Sequence, residues 1–234
     1  MDWARVWTGR NWERLLVGNL FTNGEVGGLL LTMEIGLLAI ILSTVLGALL
    51  GILRHSRRRL LWVPAAAYIE TLRNIPLLIL VFWAYFVPPY FGVQTSKFGS
   101  VLGALTLFTA AYIAEVVRGG LLAVPPGVVD AGRALGLSRS QNQLRVVLPI
   151  AFFNMIPALS GRYVVAIKNT SLAFLIGLSD LTEVGKEISN VLMTSPVEVY
   201  VTLMLIYFSV NTLISHAMRL IETRRRFGRI FVRL

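Results

Sequence analysis

The chain contains no cysteine among its 234 residues. Disulfides, thiol catalysis and cysteine-ligated metal sites are thereby excluded. Histidine is nearly as scarce. His55 and His216 fall near the ends of apolar runs, where an interfacial place suits them better than a clustered His/Asp/Glu site. Charge is sparse as well: 15% of residues are charged, against about 25% in an ordinary soluble domain. Acidic residues are the scarcer sign, 12 against 22 lysines and arginines. The formal charge of +10 does not mark a nucleic-acid-binding protein, because the arginines alternate between loops instead of lining one face. No Gly-x-x-x-x-Gly-Lys-Ser/Thr stretch occurs; Gly185-Lys186 is followed by Glu187. A phosphate-cradling loop is therefore absent, and any nucleotide that powers this chain must be hydrolysed by another polypeptide.

Apolar residues are abundant, 56% of the chain, with a mean hydropathy of +0.71. They gather in long runs, and about 20 mostly apolar residues suffice to cross a bilayer. Five runs qualify: 27–53, 62–88, 99–124, 149–178 and 197–220. The sequence thus predicts an all-α integral membrane protein with five spanning helices. Residues 1–26 form an extracytoplasmic N-terminal segment, 27–222 the membrane domain with a long loop at 125–148, and 223–234 a basic tail.

Loop charge predicts the direction of the spans. Arg54, Arg57, Arg58 and Arg59 follow the first run, and Arg133, Arg139 and Arg145 lie between the third and fourth. Arg219, Arg224, Arg225, Arg226, Arg229 and Arg233 follow the fifth. Between runs two and three only Lys97 occurs, and between four and five only Lys186, among Asp180, Glu183 and Glu187. This places the N-terminus outside, the C-terminus inside, and the 125–148 loop in the cytoplasm. Arg5, Arg10 and Arg14 oppose the pattern and are outnumbered. The N-terminal segment lacks the short apolar core and small-residue cleavage site of a signal peptide. Trp3, Trp7 and Leu15 recur at roughly helical spacing, which predicts an interfacial helix with its tryptophans at headgroup level. The basic tail is expected on the anionic inner leaflet.

Ionisable residues inside the spans need a partner or water. Glu70 and Arg73 are three apart and share a helix face. They are expected to form an ion pair near the inner surface or to line a path, with Pro76 kinking the helix. Glu115 and Arg118 repeat the spacing in the third span, among small residues that let helices approach closely; a pair that staples the bundle is expected. Arg162 lies 13 residues beyond Pro149, about 20 Å along an ideal helix. Tilt and breaks at Pro157 and Gly161 are expected to shorten that distance and leave Arg162 near the bilayer midplane, the depth at which transporters hold substrate on interrupted helices. Arg162 cannot shed its proton, so it requires an anion: Glu34, Glu70, Glu115, or the carboxylate of a substrate. Lys168 lies further out, in Lys168-Asn169-Thr170-Ser171-Leu172-Ala173, and can snorkel.

The most specific feature is Asp130-Ala131-Gly132-Arg133-Ala134-Leu135-Gly136, followed at fixed distance by Val146-Val147-Leu148-Pro149. Pro125-Pro126 precede it, and its Ala, Leu and Arg favour a short helix. This resembles the EAA loop of ABC-type importer permeases, in which Glu-Ala-Ala, three residues, Gly and nine residues lead into Ile-x-Leu-Pro. The stretches 70–77, 111–120 and 168–173 resemble segments of the permeases for polar amino acids. The resemblance runs from about residue 29 to 222. It implies the ABC type I importer permease fold and a cytoplasmic coupling helix. Asp130, Ala131, Gly132, Gly136 and Leu137 would dock a separate ATPase. Arg162, Glu70, Arg73, Glu115, Asn169 and Thr170 would border the substrate path. It further implies an ATPase dimer carrying ATP and Mg, a second permease, identical or paralogous, and an extracytoplasmic amino acid binding protein. No cofactor is expected on this chain itself.

Similar permeases often carry an amide or a carboxylate where this chain has Arg162. A midplane cation repels cationic cargo, so the sequence points to glutamate or aspartate. Glutamine or another polar amino acid follows if Arg162 holds only the α-carboxylate. A different class, the ion-coupled secondary transporter, usually shows inverted repeats, and none is clear here. A membrane-embedded enzyme would want clustered His, Asp or Glu.

Overall fold

The computed structural model describes the backbone of residues 3–193 and 195–226, and their side chains except at 22 and 221–226. In chain order the helices are α1 (Trp3–Val6), α2 (Gly9–Val17), α3 (Leu20–Asn23), α4 (Gly28–His55), α5 (Arg59–Asn74), α6 (Leu77–Phe86), α7 (Lys97–Leu122), α8 (Pro126–Ala134), α9 (Arg139–Asn142), α10 (Leu148–Asn169), α11 (Leu181–Leu192) and α12 (Pro196–Arg226). Two short strands, β1 (Gly18–Asn19) and β2 (Glu25–Val26), flank α3. The expected tail at 223–234 lies largely outside the described residues.

Among the described residues, four helical stretches are long and apolar enough to cross a membrane: Gly28–His55, Lys97–Leu122, Arg139–Ile176 and Pro196–Leu220. A fifth crossing requires the broken pair Arg59–Asn74 and Leu77–Phe91 to count as one span. Long helices are what lipid demands, because only intrahelical bonds satisfy the backbone there. The break corrects the expectation of one kinked span over 62–88. Proline disfavours helical backbone in the residue before it, and Ile75 is extended (φ −94°, ψ 130°), as is Pro76 (ψ 131°). The helix stops at Asn74 and a new one starts at Leu77.

The chain divides into two compact units. The first takes in the chain up to Ile41, Pro76–Thr106 and Val164–Ala217. Here the N-terminal helices pack on protein. Val6 and Leu15 are buried in a core with Leu181, Val184, Ile188, Val199 and Leu203. Trp7 Nε1 donates to Thr202 Oγ1 at 3.1 Å, and Arg14 pairs with Glu187. The face that the spacing of Trp7 and Leu15 suggested for lipid headgroups thus meets α11 and α12 in part, although Trp7 stays half exposed. β1 and β2 pair antiparallel, Gly18 with Val26 and Asn19 with Glu25. The Gly28 N–H then bonds to the Ser179 carbonyl at 2.9 Å, tying the start of α4 to the entry of α11.

The second unit takes in Leu42–Ile75, Leu107–Tyr163 and the chain from Met218 on. Its core is Ile113, Val117, Leu121, Val124, Val147, Ala151, Met155 and Leu159. Along α4, Gly47 and Gly51 face α7 with no room for a side chain. A Cβ on Gly47 would come within 2.7 Å of Ile113 and 2.8 Å of the Ala110 carbonyl; one on Gly51 would come within 2.6 Å of the Ala114 carbonyl. Small residues four apart let the two backbones touch.

Candidate functional site

The loop between α7 and α10 is a small structured body in the second unit. Pro125 and Pro126 open α8, where fixed φ and a missing N–H cost nothing. The helix closes on the Leu137 N–H, which bonds to the Gly132 carbonyl at 3.2 Å, and the Gly136 N–H, which bonds to Arg133 at 2.9 Å. Gly136 takes the left-handed conformation (φ 78°) that this ending needs. Ser138 and Gln141 then form a reciprocal cap on α9. A π-helical stretch, Gln143–Val147, runs from α9 into α10.

Of the residues that the sequence assigns to docking, Asp130, Ala131 and Gly136 are exposed and Leu137 is half-buried. Asp130 accepts from Arg133 at 3.1 Å, an exposed pair one turn apart. Gly132 turns inward instead. It lies against Asn142, whose side chain reaches back to α8 and donates from Nδ2 to the Val129 carbonyl at 2.8 Å.

The span residues of the same unit pair differently from what spacing alone suggests. Glu70 does not take Arg73. Its Oε1 accepts from Arg54 Nη2, at the end of α4, at 2.7 Å. Arg73 instead stands over the ring of Tyr112, 5.6 Å from its centroid. The i,i+3 rule brings two side chains near each other but cannot see a competing cation from another helix. Glu115 and Arg118 do form the expected pair, with Nη2 and Nε both bonding to Oε2 at 2.8 and 3.2 Å.

Arg162 reaches the same ring as Arg73. Its guanidinium lies 4.6 Å from the Tyr112 centroid, well inside cation–π range. The carboxylates of Glu70 and Glu115 in this unit are already taken by Arg54 and Arg118. Tyr112 therefore organises the two arginines, and sequence reasoning missed it. Its signal is position: it sits one turn before Glu115 on α7.

Asn169 and Thr170 belong to the first unit, where α10 ends and a 3-10 turn over Thr170–Ile176 begins. Thr170 is buried and its hydroxyl donates to the Ile167 carbonyl at 2.7 Å. Asn169 is half-buried. Asp180 also went unread. It caps α11, accepting from the Glu183 N–H at 2.9 Å. Its second oxygen is buried without a hydrogen-bond partner among the described residues. Burial pushes its carboxyl up to about 7, against the pull of backbone hydrogen bonds from Glu183 and Thr182. Among the described residues no cluster of three or more His, Asp or Glu is placed to hold a metal.

A family described as binding-protein-dependent transport system inner membrane component matches residues 30–227. The chain belongs to this family. It is 32% identical over 200 residues to the probable glutamine ABC transporter permease protein GlnP of Bacillus subtilis, covering 85% of this chain and 92% of that one. It is 31% identical over 224 residues to the glutamate transport system permease protein GluD of Corynebacterium glutamicum, covering 93% and 81%. Among solved structures, an amino acid ABC transporter with histidines superposes with a TM-score of 0.79 at 30% identity, over 84% of this chain and 92% of that one. The chain is thus a permease subunit of an ABC-type importer for a polar amino acid. It is a multi-pass inner-membrane transport protein and not an enzyme.

Proposed function

We propose that the chain forms half of a translocation path for glutamine or another polar amino acid of the glutamine/glutamate group. The path is completed by a second permease, identical or paralogous. An extracytoplasmic binding protein delivers the substrate, and two ATPase subunits carrying ATP and Mg dock on the Asp130–Gly136 face of α8. Closure of the ATPase pair shifts α8 and tips the helices from inward-open to outward-open. The N-terminus lies outside and the C-terminus in the cytoplasm. The membrane domain is 27–222, with 1–26 outside it and 223–234 as a basic cytoplasmic tail.

One observation carries the substrate reading. Arg162 is a permanent cation on an aromatic platform, and the neighbouring carboxylates of its unit are already paired. It is free to hold a carboxylate, and every amino acid brings one on Cα. The glutamine named for the Bacillus subtilis relative fits that use. Arg73, the second cation on the ring, favours a second reading in which an additional carboxylate is held, as glutamate or aspartate would supply.

Uptake by the reconstituted importer separates the two. With Arg162→Gln, the α-carboxylate reading expects glutamine and glutamate uptake to fall alike. A selective loss of glutamate uptake supports the acidic-substrate reading. Robust transport of arginine by the unaltered protein refutes the acidic-substrate reading.

A further inference from the structure

We infer that Asn142 is a positioning residue, the clasp through which movement of α8 reaches α10. The inference rests on α8 being the docking helix.

Asn142 is 3% exposed in a loop whose neighbours Arg139, Ser140 and Gln141 are all exposed. Its amide grips α8 at two points. Nδ2 donates to the Val129 carbonyl at 2.8 Å. The second point is a packing contact only: Oδ1, buried without a hydrogen-bond partner among the described residues, faces Gly132, where an added Cβ would collide with it and come within 2.8 Å of Cγ. The amide cannot be reversed, because Oδ1 would then face the oxygen of Val129 with no donor between them. Only an absent side chain at 132 admits this contact. The glycine that replaces alanine in the family motif is thus the counterpart of Asn142, and the helix propensity it forgoes is tied to that contact.

The other end of the clasp is rigid. Asn142 has helical backbone (φ −62°, ψ −45°), the π stretch follows directly, and Leu148 continues it (φ −62°, ψ −44°). Helical backbone therefore runs unbroken from Asn142 to Arg162. Other links from α8 to α10 include the packing of Val129 on the core that holds Val147 and the turn 135–138, exposed except at the half-buried Leu137. That turn pivots on a glycine and transmits little. A push on Asp130 is passed on chiefly through the Asn142 amide.

The absence of native cysteine makes the test direct. Ala158→Cys, on an exposed position of α10, is labelled with a fluorophore in the complete importer with its ATPase. ATP with vanadate is then added, and label response and ATPase retention are read together. Asn142→Leu keeps the bulk and removes the hydrogen bond. We expect ATPase retention and hydrolysis within about twofold of the parent, and a label response at least fivefold smaller. Gly132→Ala should lower the response and ATPase retention together, by unseating α8. Adding Asn142→Ala to it should restore ATPase retention, because the clash is gone, but not the response. An undiminished response in Asn142→Leu overturns the clasp. So does loss of response and ATPase in equal proportion, or a double variant no better than Gly132→Ala. A parent protein with no response overturns the docking reading and the clasp with it.

Discussion

Gly47 and Gly51 give the sharpest quantitative test of how the second unit is held together. Replacing Gly47 with alanine adds one carbon at 2.7 Å from Ile113 and 2.8 Å from the Ala110 carbonyl. Carbon atoms rest at about 3.5–4.0 Å, so α4 and α7 must part by roughly an ångström at this point. Ile113 is fully buried and a backbone carbonyl cannot swing aside. Overpacking of this kind costs about 1–3 kcal/mol. Alanine also returns up to about 1 kcal/mol of helix propensity, which would mask part of the loss. Gly119→Ala removes that ambiguity: Gly119 lies in α7 of the same unit with nothing within 4 Å of its added carbon, so it shows the propensity gain alone. The unfolding midpoint of each purified variant in one detergent gives the comparison. Gly47→Ala should lie below Gly119→Ala by a difference worth about 1–3 kcal/mol. Gly47→Ala/Gly51→Ala should cost less than the sum of its parts, since one separation of the helices relieves both contacts. A Gly47→Ala protein as stable as Gly119→Ala would refute the close approach.

Two further outcomes follow from geometry outside the spans. Asp180 has a folded pKa raised to about 7 against an unfolded value of about 3.9. The folded state keeps its proton where the unfolded chain sheds it, so this stabilisation is complete below about pH 4 and is lost as pH rises through 7. Asp180→Asn should flatten that part of the stability profile; an unchanged slope between pH 4 and 8 would contradict the assignment. Gly136→Glu meets no neighbour within 4 Å of its added carbon but puts a side chain on left-handed backbone, so it strains the end of α8 and the docking face without crowding the core. Uptake should be abolished and ATPase co-purification should drop while the permease still inserts, and normal transport by this variant would count against α8 as the docking helix.

Hydropathy made the spans legible because lipid leaves the backbone one solution. Pro76 was visible as a disturbance, and only its form was misjudged: the extended Ile75 turns a kink into a break. The Glu115–Arg118 pair was readable because both partners lie on one helix. The same rule failed for Glu70 and Arg73, since Arg54 and Tyr112 arrive from elsewhere in the sequence and outcompete the local pair. Asn142 was silent for the same reason. Its meaning lies in the missing side chain of Gly132, ten positions earlier. Helix α11 was overlooked although Leu181, Val184 and Ile188 mark its buried side, because the acids around it read as a solvated loop.

The break at Ile75 and Pro76 bears on how the protein is made. The second half of the broken pair runs over Leu77–Phe91, of which helix α6 supplies about 15 Å of rise, still short of a hydrocarbon core about 30 Å thick. Helix α5 is longer but carries Arg59, Glu70 and Arg73, each unfavourable for insertion at depth. Proline supplies no N–H to the carbonyls released at the end of α5. Neither half is a segment that the insertion machinery would release into lipid on its own. The region is expected to stay beside the translocation channel until later helices have emerged to shield it. Biogenesis of this permease is therefore expected to be collective: the early part of the chain should complete its entry into the bilayer only in the company of parts not yet synthesised when it leaves the ribosome.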